Sequence, residues 1–226
     1  MSSRDKILGN VYKSLENSGL ASLGKEEIGA RLKAHSKNTV PKRSQGDNET
    51  QTALFITEAE RVNATIERLD DVNDVGEAVQ RYLASHNLSG HVKIAPHPAL
   101  KNVNWSKHPT LEVAEGPAVD SDQAGLSVAV TGVAETGTLV LHSGPQSPTT
   151  LNFLPDNHIV LLHQSQIVGA YEDAWTTLRN GLRTMPRTVN WVTGPSRSAD
   201  IEQTLLLGAH GPRRLHILIL DDKKTV

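Results

Sequence analysis

The sequence contains no cysteine. Without thiols the chain can form neither a disulfide nor a Cys-ligated zinc site, and it has no thiol nucleophile. It also lacks the thiolates that usually hold an iron–sulfur cluster. Redox chemistry at such a cluster would therefore have to take place on another chain.

An excess of charge and long apolar runs are also missing. Lys and Arg number 23 against 25 Asp and Glu, a net charge of -2, so no bulk field attracts nucleic acid or anionic lipid. The longest apolar stretches, such as Leu215 to Leu220, are far shorter than the roughly 20 residues that span a bilayer. The opening MSSRDKILGN lacks the apolar core of a secretory signal. We therefore expect a soluble, cytoplasmic protein with no nucleic-acid partner and no membrane span.

Several common functional motifs are absent from the sequence. There is no G-x-G-x-x-G or G-x-x-x-x-G-K-[ST] phosphate loop, no G-x-S-x-G nucleophile elbow and no H-E-x-x-H zinc motif. His142, His158, His163 and His210 stand on separate predicted elements, so no pair has the helical spacing of metal ligands. The sequence therefore predicts no metal and no cofactor, and it assigns no catalytic residue.

The chain divides into an N-terminal arm, residues 1–51, and a body, residues 52–226. Apolar residues from Ile7 to Leu15 recur at helical spacing, and Lys25 to Leu32 indicates a second short helix. The apolar face of such an arm is expected to pack against another protein surface. Ser36 to Gln51 contains almost no apolar residue and cannot bury enough surface to offset its ordering entropy, so we expect a mobile loop there.

The body alternates between short β-rich runs and helical segments, which is typical of an α/β domain. The apolar run around Ile217 indicates a strand buried on both faces, as in the centre of a parallel sheet. The predicted strands are Ala53–Thr57, His91–Ala95, Leu111–Ala114, Leu126–Gly132, Thr138–His142, His158–Leu162, Asn190–Thr193 and Leu215–Leu220. The predicted helices are Glu58–Leu69, Val72–Ser85, Tyr171–Arg183 and Ala199–Leu207.

A glycine-rich stretch between two predicted strands supplies the first candidate ligand-binding residues. It contains Gly132, Glu135, Thr136 and Gly137, and this density of glycine indicates a tight turn at a sheet end. The carboxylate and the hydroxyl could bind a ligand there, or they could satisfy the amides of the turn. The Ser and Thr residues of 143–152 leave the same choice between an anion site and ordinary helix caps.

The segment from Trp191 to Glu202 supplies the remaining candidates, Gly194, Ser196, Arg197, Ser198 and Asp200. Its pattern predicts a strand, a Gly-Pro break and a helix with Ser198 as N-cap. Arg197 could present a cation to an anionic ligand, or it could pair with Asp200, Glu202 or Glu135 instead. We expect this loop and the glycine-rich turn to converge at one edge of the sheet, at the carboxyl ends of its strands.

An ordered set of segments resembles the lactate utilization protein C family, the LUD domain, over residues 50 to 221. The segments are Val130-Thr-Gly-Val-Ala-Glu-Thr-Gly-Thr-Leu-Val, Pro155 with His158-Ile-Val, Thr193-Gly-Pro-Ser-Arg-Ser-Ala-Asp-Ile-Glu and Leu207-Gly-Ala-His-Gly-Pro-Arg-Arg-Leu. The resemblance implies a three-layer α/β/α fold with a mostly parallel central sheet, like that of sugar-phosphate isomerases and CoA transferases.

The resemblance also implies a part in oxidising L-lactate to pyruvate, together with iron–sulfur partner proteins. Since this chain has no cysteine, we expect it to be an accessory, non-redox component. The alternative is a stand-alone enzyme or binding protein that acts on a carboxylate, a CoA thioester or a sugar phosphate. Its site would be built from Glu135, Thr136, Ser196 and Arg197, and fold alone does not decide between these functions.

Overall fold

The computed structural model describes residues 2–17, 24–182, 184–201, 204–207 and 210–222. The chain splits into two compact units, Met1–Thr39 and Val40–Val226. The small unit holds helices α1, Ser3–Asn17, and α2, Lys25–Ala34, so the two predicted arm helices are present. Across the described residues, the helices are too short or too polar to cross a membrane.

The large unit holds the remaining helices and all the strands that the structure describes. The helices are α3 Asn48–Arg61, α4 Asp74–Ser85, α5 Pro98–Lys101 and α6 Tyr171–Gly181. The strands are β1 Thr65–Leu69, β2 His91–Ile94, β3 Glu112–Glu115, β4 Ala124–Val128, β5 Thr131–Val133, β6 Thr138–His142, β7 Asn157–His163, β8 Ile167–Val168, β9 Val189–Val192, β10 Arg197–Ile201, β11 Thr204–Leu207 and β12 Arg214–Leu220.

A six-stranded sheet in the order β1-β12-β7-β4-β2-β3 forms the centre of the large unit, and all its neighbouring strands run parallel. Side chains alternate between its faces. On β12, Leu218 and Leu220 join the core beneath α4, whereas Ile217 and Ile219 join the core beneath α3. The sheet is therefore covered by helices on both faces, and the predicted α/β fold is confirmed.

A second sheet, in the order β8-β5-β6-β9, covers the same face as α3. Leu139 and Leu141 of β6 pack into that core, while Val133 and Val140 pack against α6 on the outer side. The prediction of one strand over Leu126–Gly132 is therefore wrong. Backbone pairing explains the break, because the amide of Ala129 still donates to Leu161 of β7, whereas that of Val130 donates to Val140 of β6.

Helix α3 replaces the strand predicted over Ala53–Thr57, and it ends before the helix predicted over Glu58–Leu69 is complete. Thr52, Phe55 and Ala59 are buried at helical spacing, so packing of this face overrides the local β-propensity. The helix begins at Asn48, where the Asp47 side chain accepts from the amide of Thr50 at 2.9 Å. Order thus starts inside the segment predicted as a loop, while the mobility of residues 36–41 stays a prediction.

The helix predicted over Ala199–Leu207 is also wrong, because β10 and β11 pair there in antiparallel fashion, with Ser198 opposite Leu206. Ser198 is therefore not a helix N-cap. Strand pairing satisfies the backbone groups that a helix would otherwise have bonded internally. Residues 202–203 and 208–209 lie outside the described residues.

Candidate functional site

The glycine-rich turn and the Gly194 loop do meet, although not through parallel strands of one sheet. They follow β5 and β9 of the second sheet, in which β6 pairs antiparallel with β9 and Leu139 faces Val192. The next residues along, Thr138 and Thr193, come together with their hydroxyl oxygens 2.7 Å apart. The predicted convergence is thus present, but antiparallel pairing produces it.

Four hydroxyl groups form a connected cluster where these segments meet. The Thr136 hydroxyl lies 2.7 Å from that of Thr138, and the Tyr171 hydroxyl lies 3.0 Å from both. Thr193 bonds Thr138 from the other side. Because each hydroxyl can donate once and accept from others, this hydroxyl cluster joins the turn, the start of α6 and the end of β9.

The candidate glycines serve close packing. Gly137 has φ 62°, and a Cβ there would run into the backbone of Ala59. Gly194 has φ 72°, and a Cβ would lie 2.5 Å from the carbonyl oxygen of Val62. At Gly132, a Cβ would lie 2.9 Å from side-chain carbons of Phe55 and Leu162. The turn and the loop therefore rest against the C-terminal end of α3.

Glu135 is buried within the turn, with 9% of its surface exposed. Its backbone amide donates to the carbonyl oxygen of Gly169 at 3.1 Å. Its Oε2 has no hydrogen-bond partner among the described residues. Glu135 is not among the residues that line the cavity formed around Arg197, so the structure does not bring these two predicted side chains into one site.

Gly194, Ser196 and Arg197 line a cavity of about 300 Å³, which we call the arginine cavity. The other lining residues are Asn152, Phe153, His158, Trp191, Val192, Thr193, Pro195, His210, Gly211, Pro212 and Leu215. His158 and Leu215 are the second residues of β7 and β12, so the cavity lies at the amino ends of these strands. The crevice was expected at the carboxyl ends of the central strands, and for these residues that expectation is wrong. Their loop follows β9, which belongs to the second sheet, and it borders the amino ends of the central strands β7 and β12.

Two buried side chains at the wall of the arginine cavity have unused hydrogen-bonding capacity. The imidazole Nε2 of His158 lies 2.7 Å from the Ser127 hydroxyl, but its Nδ1 has no partner among the described residues. Asn152 is 1% exposed, and neither its Oδ1 nor its Nδ2 has such a partner. Burial lowers the pKa of His158 to about 3, so the ring is neutral at pH 7. Unpaired buried groups are unfavourable, which favours a polar occupant of this cavity.

Arg197 brings positive charge to the rim of the arginine cavity. Its guanidinium Nη2 donates to the carbonyl oxygen of Val62 at 3.1 Å, and the adjacent Ser196 amide donates to Pro212 at 2.8 Å. Among the described side chains Arg197 makes no ion pair with Glu135. Ser198 and Asp200 follow Arg197 in β10, and only their backbone is described. Pairing of Arg197 with Asp200 therefore stays a hypothesis, and Glu202 lies outside the described residues.

A second cavity, of about 370 Å³, lies at the opposite edge of the central sheet, and we call it the histidine cavity. It is lined by Val128 and His163 at the carboxyl ends of β4 and β7, by His97 after β2 and by His142 at the end of β6. Sequence analysis missed it because these histidines are distant in sequence. In the part of the chain that is described, no group of His, Asp and Glu side chains is arranged to hold a metal ion.

The protein fixes the orientation of each ring in the histidine cavity. Nδ1 of His163 lies 3.1 Å from Oδ1 of Asp222, and Nδ1 of His142 lies 3.0 Å from the carbonyl oxygen of Ser143. Nδ1 of His97 accepts from the amide of Ala99 at 3.2 Å. Burial lowers the pKa of His97, with smaller contributions from His163 and His142. Each of the three rings lines the cavity and is held through its Nδ1.

Residues 52–220 match the model of the LUD domain. An uncharacterized protein of Neisseria meningitidis serogroup B is 42% identical over 97 residues, 43% of this chain and 42% of that protein. Lactate utilization protein C of Exiguobacterium sp. is 32% identical over 123 residues, 53% of each chain. The same-named protein of Bacillus subtilis is 33% identical over 102 residues, 44% of this chain and 42% of that protein. The chain thus spans about half the length of the curated relatives it matches.

A crystal structure of a DUF162 family protein from Deinococcus radiodurans superposes with a TM-score of 0.53. The alignment covers 78% of this chain and 99% of that one, at 21% sequence identity. A similarity at this level of identity supports the fold and carries no information about the ligand.

Proposed function

The chain belongs to the LUD domain family, and from this premise we propose that it is an accessory, non-redox component of a system that oxidises L-lactate to pyruvate. The names of the Exiguobacterium and Bacillus relatives support a role in lactate utilization. The observation that carries the non-redox part is the complete absence of cysteine. The proposal places this component in the cytoplasm.

Oxidation of lactate removes electrons that some group must accept. Because this chain has no thiolate to hold an iron–sulfur cluster, the proposal assigns electron transfer to iron–sulfur partner proteins. Helix α1 of the N-terminal unit supports a protein partner, since its Ile7, Val11 and Tyr12 expose large apolar surfaces. Apolar side chains grouped on one element favour contact with another protein.

Co-purification tests this proposal. A tagged full-length chain, expressed in its native host growing on L-lactate, should retain iron–sulfur proteins under mild conditions. A matched chain lacking residues 1–39 should lose them while keeping its fold. Full retention after removal of the arm would contradict its role as the partner surface.

The growth phenotype provides the second readout. A strain without the gene should grow poorly on L-lactate and normally on pyruvate. Unimpaired growth on L-lactate, with no related gene compensating, would refute the proposal.

The arginine cavity favours a second candidate function, a stand-alone enzyme or binding protein for a carboxylate, a CoA thioester or a sugar phosphate. The cavity combines a cation at its rim with neutral buried groups on its wall, which Asn152 and His158 provide. A molecule with an anionic group and a polar uncharged end would satisfy both parts.

Calorimetry with lactate, pyruvate and CoA tests the second candidate. At least one anion should bind the wild type, and Arg197→Ala should weaken that binding by about ten-fold or more, as expected for loss of a charge-assisted hydrogen bond. Arg81→Ala is the matched control, because Arg81 lies on α4 and pairs with Glu67 and Glu77. Equal binding by wild type and Arg197→Ala would exclude Arg197 from the site.

A further inference from the structure

The histidine cavity lies where the course of the central sheet reverses. After β2 the chain adds β3 at the outer edge and then returns to β4 on the other side of β2. Residues at or just after the carboxyl ends of β2 and β4, His97 and Val128, line the histidine cavity. In open α/β sheets this is the usual place for a ligand.

The hydrogen bonds at the back of the rings determine which nitrogen can act in the cavity. The Ser143 carbonyl and the Asp222 carboxylate can only accept, so His142 and His163 carry their proton on Nδ1. In the uncharged form of each ring, this leaves the lone pair on Nε2. His97 differs, because its Nδ1 accepts from the Ala99 amide and the proton must be on Nε2.

Asp222 holds His163 as a second-layer carboxylate. Besides His163, it accepts from the Ser165 amide at 3.3 Å and from the Ser165 hydroxyl. A carboxylate behind a histidine fixes both its tautomer and its orientation. The side chains of His163 and Asp222 are 29% and 27% exposed; His163 lines the cavity, whereas Asp222 lies behind it and is not among the lining residues.

The rest of the lining is uncharged and mixes polar side chains with apolar ones such as Val128, Val130 and Leu182. Gln146, Ser147 and Gln166 face the same space, and no carboxylate or basic side chain other than histidine is among the described lining residues. The side-chain oxygen of Gln166 is buried without a partner in the described part of the chain. The cavity thus offers acceptors at His163, His142 and Gln166, together with a donor at His97.

We propose that the histidine cavity binds a small molecule that carries a hydroxyl group next to a carbonyl or carboxylate oxygen. The His163 Nε2 accepts a hydrogen bond from the hydroxyl, and the His97 Nε2 donates to the neighbouring oxygen. Asp222 is a positioning residue that acts through His163. This choice of ligand class rests on the proposed role in lactate oxidation, since lactate is a 2-hydroxy acid.

Binding to the full-length protein, followed by NMR and calorimetry, tests the ligand class. The probes are L-lactate and hydroxyacetone, with propionate and acetone as their matched compounds without the hydroxyl. Lactate or hydroxyacetone should bind and shift the His163 ring signals, and its matched compound should bind about ten-fold more weakly. Equal binding with and without the hydroxyl would overturn the proposal, as would no binding of either probe at millimolar concentrations.

Substitutions separate this cavity from the rest of the surface. His163→Gln and His97→Gln should each weaken binding of the better probe by about ten-fold. His91→Gln is the matched control, because His91 is 67% exposed at the amino end of β2. Thermal melting and the NMR spectrum show whether each variant is folded. Unchanged binding by folded His163→Gln and His97→Gln would overturn the assignment.

Asp222→Asn tests the positioning role. Asparagine keeps the shape of the side chain but can also donate, so His163 loses its fixed tautomer. The ¹⁵N shifts of His163 should then move away from the Nδ1-protonated pattern, and probe binding should weaken with them. Weaker binding without any change in tautomer would refute positioning. The two proposals can fail separately. Normal growth of the deletion strain on L-lactate would leave this binding result unchanged, and absence of probe binding would leave the co-purification result unchanged.

Discussion

Replacing Gly137 with alanine tests how the turn after β5 is held against α3. The residue has φ 62°, a conformation that side chains with a Cβ rarely adopt, and an added Cβ would meet the Ala59 amide and Cα, at 2.6 Å from the latter. Those contacts are with backbone, which cannot rotate away as a flexible side chain could. The substitution must therefore displace the turn or the end of the helix.

The size of the effect follows from two contributions. The left-handed conformation costs about 1–2 kcal/mol for a residue with a Cβ, and overpacking adds about 1–3 kcal/mol. We therefore expect Gly137→Ala to lower the free energy of unfolding by about 2–5 kcal/mol. For a chain of this size that corresponds to a fall in Tm of about 4–20 °C.

Two other glycines separate the contributions. Gly169 needs no positive φ, but a Cβ there would meet the backbone oxygen of Ser44, so Gly169→Ala should show only the overpacking loss of about 1–3 kcal/mol. At Gly144 the nearest atom to a Cβ is a carbon of the His142 ring, at 3.5 Å, so Gly144→Ala should change stability by about 1 kcal/mol or less. Calorimetric melting measures all three. Equal Tm values for Gly137→Ala and Gly144→Ala would refute the reasoning.

Three further predictions concern the arginine cavity, buried histidine and the arm. Asn152→Leu should leave Tm unchanged or raise it, since it removes a buried amide without a described partner. It should also weaken the binding of any ligand in the arginine cavity. A large fall in Tm would show that the amide already has hydrogen-bond partners. The pKa of His158 is about 3 in the folded protein against an ordinary 6.5. As pH falls from 6.5 towards 3, the unfolded chain therefore binds a proton at this residue that the folded protein does not. The free energy of unfolding should fall by up to about 1.4 kcal/mol per pH unit relative to His158→Gln. Urea unfolding at pH 7 and 5 checks this, and parallel curves for the two proteins would contradict it. Because the chain splits at Thr39, a chain of residues 40–226 should fold alone with a Tm within a few degrees of the full-length protein, which circular dichroism would measure; a broad, uncooperative melt would contradict it.

The sequence predicted the buried strands well because they appear in it as continuous apolar runs. The predictions at 158–162 and 215–220 fall within the central strands β7 and β12, and Thr138–His142 matches β6 of the second sheet. Local propensity failed where tertiary contacts decide. Phe55 lies in a β-rich run, yet its burial beside Ala59 requires a helix.

The candidate sites were harder to predict, because sequence spacing says little about which strand ends meet. The convergence of the Gly132–Gly137 turn with the Gly194 loop was expected, but the second sheet that produces it was not. Ser196 and Arg197 line one cavity, but Glu135 and Thr136 are not among its lining residues, so the four-residue site stays a prediction. The histidine cavity could not be found from local patterns, because it depends on the strand order that brings His97 and His163 to the same edge.

The short outer strand β3 limits how this protein can associate with copies of itself. Among the described strands, β3 pairs with β2 alone, so its other side presents backbone groups that could template growth of the sheet. The strand has four residues, and Glu112 and Glu115 at its two ends are exposed. A second copy adding its own β3 would bring carboxylates close to carboxylates, and like charges on adjacent strands repel. These two glutamates thus protect the edge against aggregation, and replacing both with neutral residues would remove that protection.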